Sequence, residues 1–430
     1  MTAIIIYGCG KTGHSLQKLL QKQGKSALFY DDKIDNSLQP KFTANTTVLL
    51  SPGVKPDAKG MILAKKSGAK IVGELQYCWP LCKAPIVSVT GTNGKTTTCE
   101  LVNHILQLAG KSTYLLGNGG VPFAEKVLEC TPNDIVVLES SSFQLKDCNN
   151  FDPKVSVLTN LATDHLDYHK SMAEYSLAKQ NNFVHQTADS YAIFNADDKN
   201  AVALSSKSNC IALFYSVQNE FANCYIKDDV VYLKLFGKTQ SSPAKILTRM
   251  YLHNQSNCLC AMLACALFGV PLSTSVQAIC SYKFPPHRMQ IVGQFDGVTF
   301  VDDSKGTNVH ATVSGCKNIV GRVALILGGS QKGYAFDEIF QNLPSGITYI
   351  CATGQTAQSI AQSGRKYGKL VQIFDDIKHC VRASYQALKE FGGTVLMSNA
   401  CASFDKFSNY AERGNYFQQV VEELKFESQV

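Results

Sequence analysis

The chain has 430 residues, room for about three domains at roughly 150 residues each, all large enough to bury a core of their own. With 45% hydrophobic, 17% charged and 10% aromatic residues, 31 Gly and 13 Pro, the composition excludes a disordered or collagen-like chain. Lysine and arginine exceed aspartate and glutamate by 41 to 34, a net +7 with no run of five like charges, which leaves nucleic-acid binding unsupported and suits small anionic substrates as well as a solubilising surface.

Strand-like runs ending in glycine or acid alternate with amphipathic stretches along almost the whole length, the pattern of parallel sheets covered by helices, so the fold class is α/β. The opening MTAIIIYGCG lacks a basic flank, and its apolar residues 3–7 run into a glycine turn, which predicts a strand rather than a signal peptide. A helix near 14–23, a strand at 27–30 ending in Asp31, and a strand at 47–50 leading into Ser51, Pro52 and Gly53 follow. A second part opens after Pro85 with a strand at 86–89 and continues to about residue 282. Its longest apolar run, 258–270, stops at Pro271 after 13 residues, too short for a ~30 Å hydrocarbon layer, so no membrane span is expected. A third part starts near FPPHRMQ and repeats the strand-then-loop unit in VALILGG, ITYICATG, LVQIFDD and TVLMSNACAS. These boundaries divide the chain into 1–84, 85–281 and 282–430. The sixteen cysteines lie mostly in apolar segments without a second Cys/His pair at zinc spacing, and read as small buried hydrophobes in a reducing, cytoplasmic compartment.

Two glycine loops carry chemistry. Gly8-Cys9-Gly10-Lys11-Thr12-Gly13 satisfies G-x-G-x-x-G between a strand and a helix, with Asp31 ending the next strand. Glycines let the backbone approach a diphosphate at the helix N-terminus, and Asp31 can accept ribose or base hydrogen bonds. Thr90-Gly91-Thr92-Asn93-Gly94-Lys95-Thr96-Thr97 is a partial Walker A loop, with Val89 where the first glycine would stand. Its chemistry is whole: Lys95 neutralises β/γ-phosphate charge, successive N–H groups cradle it, and the Thr96 hydroxyl binds magnesium. Glu139 ends the strand at 135–138 and His165 lies in TDHLD after the strand at 155–159. At the carboxyl ends of a parallel sheet both would meet the phosphates. A nicotinamide-dependent dehydrogenase also uses the first fingerprint, but hydride transfer needs no second, triphosphate-binding loop.

The run Gly91 to Thr97 resembles the G-T-N-G-K-[ST]-[ST] loop of the ATP-dependent Mur ligases of peptidoglycan precursor synthesis, and the resemblance covers all three parts of the chain. GCGKTG, LESSSFQL, HNQSN at 253–257, PHR at 286–288, DDSKGTN at 302–308 and ACASFDKF at 400–407 are similar to the members that join D-glutamate to UDP-N-acetylmuramoyl-L-alanine. The resemblance implies a Rossmann-like first domain that binds the UDP substrate through Gly10, Lys11, Thr12, Gly13, Asp31, Ser51, Pro52, Gly53 and Asn118. It implies a central P-loop domain that binds ATP through Gly91, Thr92, Asn93, Gly94, Lys95, Thr96, Thr97, Asn254 and Asn257, helped by Arg288 and Asp303, with His287 beside the phosphates. A Rossmann-like third domain would hold glutamate through Lys305, Thr307, Ser403, Phe404 and Tyr410. The last two depart from the Leu and Phe frequent there. Magnesium at two sites would engage Thr96, Glu139, His165 and Lys179, the last as a carbamate, since SMAEYSLAKQNNF matches the stretch in which the family carries a carbamylated lysine. Catalysis would rest on Lys95, Glu139, His165 and Lys179, in a monomer.

Overall fold

The computed structural model describes residues 3–34, 40–331, 333 and 335–428, and the chain folds as two compact units. The first comprises 1–161 with 168–282, the second 162–167 with 283–430.

The first unit holds two sheets. One has strands β1 (Ala3–Tyr7), β2 (Leu28–Tyr30), β3 (Thr46–Leu50) and β4 (Lys70–Gly73) in the order β2-β1-β3-β4, all parallel. The other runs through β5 (Ile86–Thr90), β6 (Ser112–Gly117), β7 (Asp134–Glu139), β8 (Val155–Leu158), β9 (Tyr191–Asn195), β10 (Ile211–Ser216), β11 (Cys224–Lys227), β12 (Val230–Leu235) and β13 (Lys238–Pro243). Its order is β13-β12-β11-β10-β9-β8-β5-β7-β6. The stretch from β6 to β11 is parallel, as the alternating pattern predicts. The antiparallel pairs β11–β12 and β12–β13 extend it in a way the sequence reading missed.

Central strands are β-branched and buried on both faces, as in β5 (IVSVT) and β7 (DIVVLE), which is the composition of a covered parallel sheet. The covering helix Lys95–Leu108 buries Leu101, Val102, Ile105 and Leu106 along one stripe. Against it packs the helix Leu252–Ala266, buried without break from Asn257 to Cys265, so the long apolar run is a core helix. Among the described residues no helix is long and apolar enough to cross a membrane. The two sheets share one apolar core: Ile6, Leu16 and Leu49 belong to the same cluster as Ile86, Val136, Leu138 and Phe151.

The second unit has one six-stranded sheet of β14 (Gln290–Phe295), β15 (Val298–Asp302), β16 (Val323–Gly328), β17 (Ile347–Thr353), β18 (Gln372–Ile373) and β19 (Gly393–Met397). The order is β14-β15-β19-β16-β17-β18, parallel except for the β14–β15 hairpin. The helix Tyr410–Ser428 closes it, burying Phe417, Val420, Val421 and Leu424.

Candidate active site

In the first sheet the strand order reverses at β1, and in open parallel sheets the crevice at such a reversal faces ligands. The loops after β1, β2 and β3 enclose a cleft of about 540 Å³ there, lined by Gly10, Lys11, Thr12, Asp31, Ser51, Pro52 and Gly53. Gly13 does not line it and is buried against the backbone of Gly8. Ser51 Oγ donates to Gly8 O at 3.1 Å, tying two of the loops together. Asp31 accepts from the N–H groups of Cys9 and Lys33, each at 3.1 Å. Burial raises its carboxyl, but these N–H donors and the Lys33 charge outweigh that and hold it below the usual range. Lys33, Lys55 and Asp32 also line the cleft and were missed, although they flank the residues the motif singled out. Three ammonium groups beside a glycine loop suit a diphosphate. Asn118 is not in this cleft. It follows β6, and its Nδ2 donates to Glu139 Oε1 at 3.3 Å.

The P-loop leaves β5, flanked by β7 and β8 where the order of the nine-stranded sheet reverses. Asn160, after β8, braces it: Thr92 N donates to Asn160 O at 3.0 Å and Asn93 N to Asn160 Oδ1 at 2.9 Å. Lys95 curls back over the loop, donating to Gly91 O at 2.9 Å and Thr92 O at 3.0 Å. Gly91 has φ +147°, and a Cβ there would come within 1.9 Å of Thr159 Oγ1, so no other residue fits without displacing the end of β8. Asn254 and Asn257 stand on the first turns of the helix Leu252–Ala266, and Asn257 Oδ1 accepts from Thr98 Oγ1 at 3.4 Å. Thr97 Oγ1, Asn254 Oδ1 and Asn257 Nδ2 are buried without a hydrogen-bond partner among the described residues. Uncompensated polar atoms of this kind fit a site completed by a nucleotide.

Glu139 ends β7 opposite Val89 of β5, which sets its buried carboxylate beside the start of the P-loop. Lys179 is no solvated helix lysine, being 1% exposed. On the helix Met172–Gln180, Tyr175, Ala178 and Lys179 share the buried face. Lys179 Nζ donates to Gly91 O at 2.8 Å and Thr90 Oγ1 at 3.4 Å and lies 4.6 Å from the Tyr175 ring centroid, while Tyr175 OH donates to Thr92 Oγ1 at 3.2 Å. Among the described residues no three His, Cys, Asp or Glu side chains form a metal cluster. The Thr96 hydroxyl and the Glu139 carboxylate fit magnesium even so, because that ion usually takes one or two protein oxygens and completes its shell with phosphate and water. His165, grouped with these by sequence, belongs to the second unit.

In the second unit the loops after β15 and β19 meet the start of the last helix. Lys305 and Thr307 lie on the first loop, Ser403 and Phe404 on the second, and Tyr410 opens the helix. Lys305 Nζ sits 5.5 Å from the Tyr410 ring centroid. Ser403 is buried and Phe404 is 74% exposed. Arg413, unnoticed in the sequence, binds these loops from within: it donates to Ser304 Oγ at 2.9 Å, Ser304 O at 2.7 Å, Cys401 O at 3.1 Å and Ala402 O at 3.3 Å. Burial lowers its pKa to about 10, so the guanidinium stays charged at neutral pH. Asp303 points inward, accepting from Ser398 Oγ at 2.6 Å and Met289 N at 3.3 Å, and burial pushes its carboxyl up to about 7. Arg288, half-buried, exerts a charge interaction on it. His287 Nδ1 lies 2.7 Å from Asp302 Oδ2. His165 adopts φ +54°, its N–H donating to Asp164, which also accepts from Asn308 Nδ2 at 3.0 Å.

The Mur ligase middle domain matches residues 89–265, and the glutamate ligase domain of Mur ligases matches 287–401. A UDP-N-acetylmuramoylalanine--D-glutamate ligase from Thermoanaerobacter pseudethanolicus is 32% identical over 451 aligned positions, covering 98% of both chains. Among solved structures, a pseudomurein peptide ligase type C from Methanothermus fervidus aligns with TM-score 0.62 at 16% identity over 99% of this chain and 100% of that one. The MurF ligase from Thermotoga maritima in complex with ADP aligns with TM-score 0.58 at 15% identity, covering 91% and 97%. Gly91 to Thr97 fall within the first matched stretch, Ser304 and Cys401, both held by Arg413, fall within the second, and the likeness to the Thermoanaerobacter relative runs almost from end to end: the chain belongs to the Mur ligase family.

Proposed function

We propose that the protein joins D-glutamate to UDP-N-acetylmuramoyl-L-alanine with hydrolysis of ATP, as a cytoplasmic step of peptidoglycan precursor synthesis. Near-full-length likeness to a ligase of that name carries the reading. The cleft and the phosphate cradle support it. A carboxylate resists attack by an amine because hydroxide leaves poorly, so the alanyl carboxylate first takes the γ-phosphoryl group of ATP, and the glutamate amine then displaces phosphate from the acyl phosphate. Positioning and charge neutralisation do most of this work.

In this reading the 1–84 region binds the UDP portion through Gly10 to Gly13, Asp31 and Ser51 to Gly53, with Asn118 contributing from the 85–281 region. Residues 91–97, Asn254 and Asn257 hold ATP. Lys305, Thr307, Ser403, Phe404 and Tyr410 of the 282–430 region hold glutamate. Bound magnesium would neutralise phosphate charge, held by Thr96 and Glu139 at one site and by carbamylated Lys179 at the other. The Lys179 ammonium, which would repel the metal, first gives up a proton to water; the neutral amine then adds to carbon dioxide and releases a second proton, leaving an anionic oxygen donor. Lys179→Ala should therefore lose nearly all activity, and short carboxylic acids should restore part of it.

The test is phosphate release from ATP by the purified protein, measured over a panel of D- and L-amino acids. Release that requires both UDP-N-acetylmuramoyl-L-alanine and D-glutamate is expected. Equal release with D-alanyl-D-alanine, L-alanine or a diamino acid in place of D-glutamate would refute the assignment.

A further inference from the structure

The turn leading into β14 carries a buried histidine that the reaction above does not use. Asp302, the last residue of β15, is 0% exposed and fully engaged. Its Oδ1 accepts from Ser304 N at 2.9 Å, and its Oδ2 accepts from His287 Nδ1 at 2.7 Å and from Gln418 Nε2 at 3.0 Å. Donation from Nδ1 to a carboxylate fixes the tautomer: in the neutral ring, Nε2 carries the lone pair. Among the described residues Nε2 has no protein hydrogen-bond partner. Two features show how firmly the ring is set. Residues 287 and 289 hold left-handed backbone at φ +63° and +47°, a conformation that costs energy in non-glycine residues and is found where surroundings enforce it. A Cβ at Gly414 would lie 2.1 Å from His287 Nδ1, so the last helix approaches the ring closely at a residue without a side chain.

The ring also has telling neighbours. Lys305 N donates to His287 O at 3.0 Å, and the Tyr410 ring meets His287 edge-on at 6.5 Å between centroids, the same ring that lies under the Lys305 ammonium. The charged groups around it are thus Asp302 and Asp303 from β15 and its following loop, Lys305 on that loop, Arg288 beside it and Arg413 on the last helix.

We infer that His287, held by Asp302, is the proton acceptor for the incoming glutamate amine, an assignment that rests on the ligase reading above. Glutamate arrives as an ammonium. One proton passes from its nitrogen to His287 Nε2, freeing the lone pair that attacks the acyl carbon. The C–N bond forms, the C–O bond to phosphate breaks with its electron pair on phosphate, and the second proton leaves the nitrogen with the departing phosphate. Asp302 stabilises the imidazolium that results, a positioning role.

Hydroxylamine separates this role from a phosphate-binding or structural one, because it is uncharged at neutral pH and attacks an acyl phosphate without losing a proton first. The full chain is assayed with ATP, magnesium and UDP-N-acetylmuramoyl-L-alanine, and either D-glutamate or hydroxylamine. His287→Asn is expected to slow glutamate ligation by about 10²- to 10⁴-fold while hydroxamate formation stays within about threefold of wild type. Asp302→Asn, which leaves the ring in place, is expected to show the same split to a smaller degree and serves if the first variant does not fold. Equal loss of both products in the folded variant would overturn the proposal and assign His287 to the phosphates. Wild-type protein that forms neither product would refute the ligase reading instead.

Discussion

Lys95 closes its loop through Gly91 O and Thr92 O, and in the function proposed above it also carries the charge that a triphosphate needs. Lys95→Ala is expected to abolish phosphate release while the far-UV circular dichroism spectrum is retained; turnover within about tenfold of wild type would contradict the role. Lys95→Arg should not rescue, because a planar fork does not reproduce a compact ammonium in a closed loop. Asp303 makes a prediction about stability. Its carboxyl rises from an ordinary 3.8 to about 7 on burial, so between those values the folded chain holds a proton that the unfolded chain has lost. The Asp303 contribution is therefore most favourable below about pH 4 and is lost as pH rises through about 7. Asp303→Asn should gain stability relative to wild type across that window, measured as the difference in denaturation midpoint at pH 5 and pH 8. A constant difference would show that the carboxyl is not raised.

Which of these residues can be read from sequence follows from where their partners lie. Lys95 and Glu139 are legible because a strand, a turn and a helix set them locally. Lys179 became legible only by resemblance, since helical spacing alone does not distinguish a buried ammonium from a solvated one. Arg413 finds its partner Ser304 across 109 residues of chain, and no local signal marks it.

Among the elements, strands with β-branched runs such as β1, β5, β7 and β16 are legible because both faces are covered. The ribbon β11–β13 is not: Lys238–Pro243 is mostly exposed and polar, so it has no apolar face to read. LVQIFDD predicted a full strand, yet pairing is confined to Gln372–Ile373 at the sheet edge, where both residues are exposed. The junction of β5 with its helix supplies the test at this scale. Gly91→Ala puts a methyl group against Thr159, whose hydroxyl donates to Asn93 O at 2.6 Å, and forces an unfavourable backbone angle. A loss of about 1–3 kcal/mol in chemical denaturation is expected, together with weakened nucleotide binding by calorimetry. Wild-type affinity in this variant would show that the loop tolerates the shift.

At the scale of the molecule, the α/β class is legible from the alternation of strands and helices. The relation between the first two sheets is less so, because apolar residues of both enter one core and Glu74, itself buried, accepts from Ala124 N at 3.1 Å and Gln144 Nε2 at 3.4 Å. Residues 1–84 expressed alone should accordingly give a poorly dispersed amide spectrum; a well-dispersed one would show that this region folds independently. The central claim, activation of a carboxylate by ATP for attack by D-glutamate, is tested most directly by isotope transfer. UDP-N-acetylmuramoyl-L-alanine carrying heavy oxygen in its alanyl carboxylate is incubated with the protein, ATP, magnesium and D-glutamate, and the released phosphate and the product are analysed by mass spectrometry. With both carboxylate oxygens heavy, the account predicts one heavy oxygen in each released phosphate and a product extended by one glutamyl residue that keeps the other heavy oxygen. Unlabelled phosphate, or labelled substrate left unextended while ATP is consumed, would contradict it.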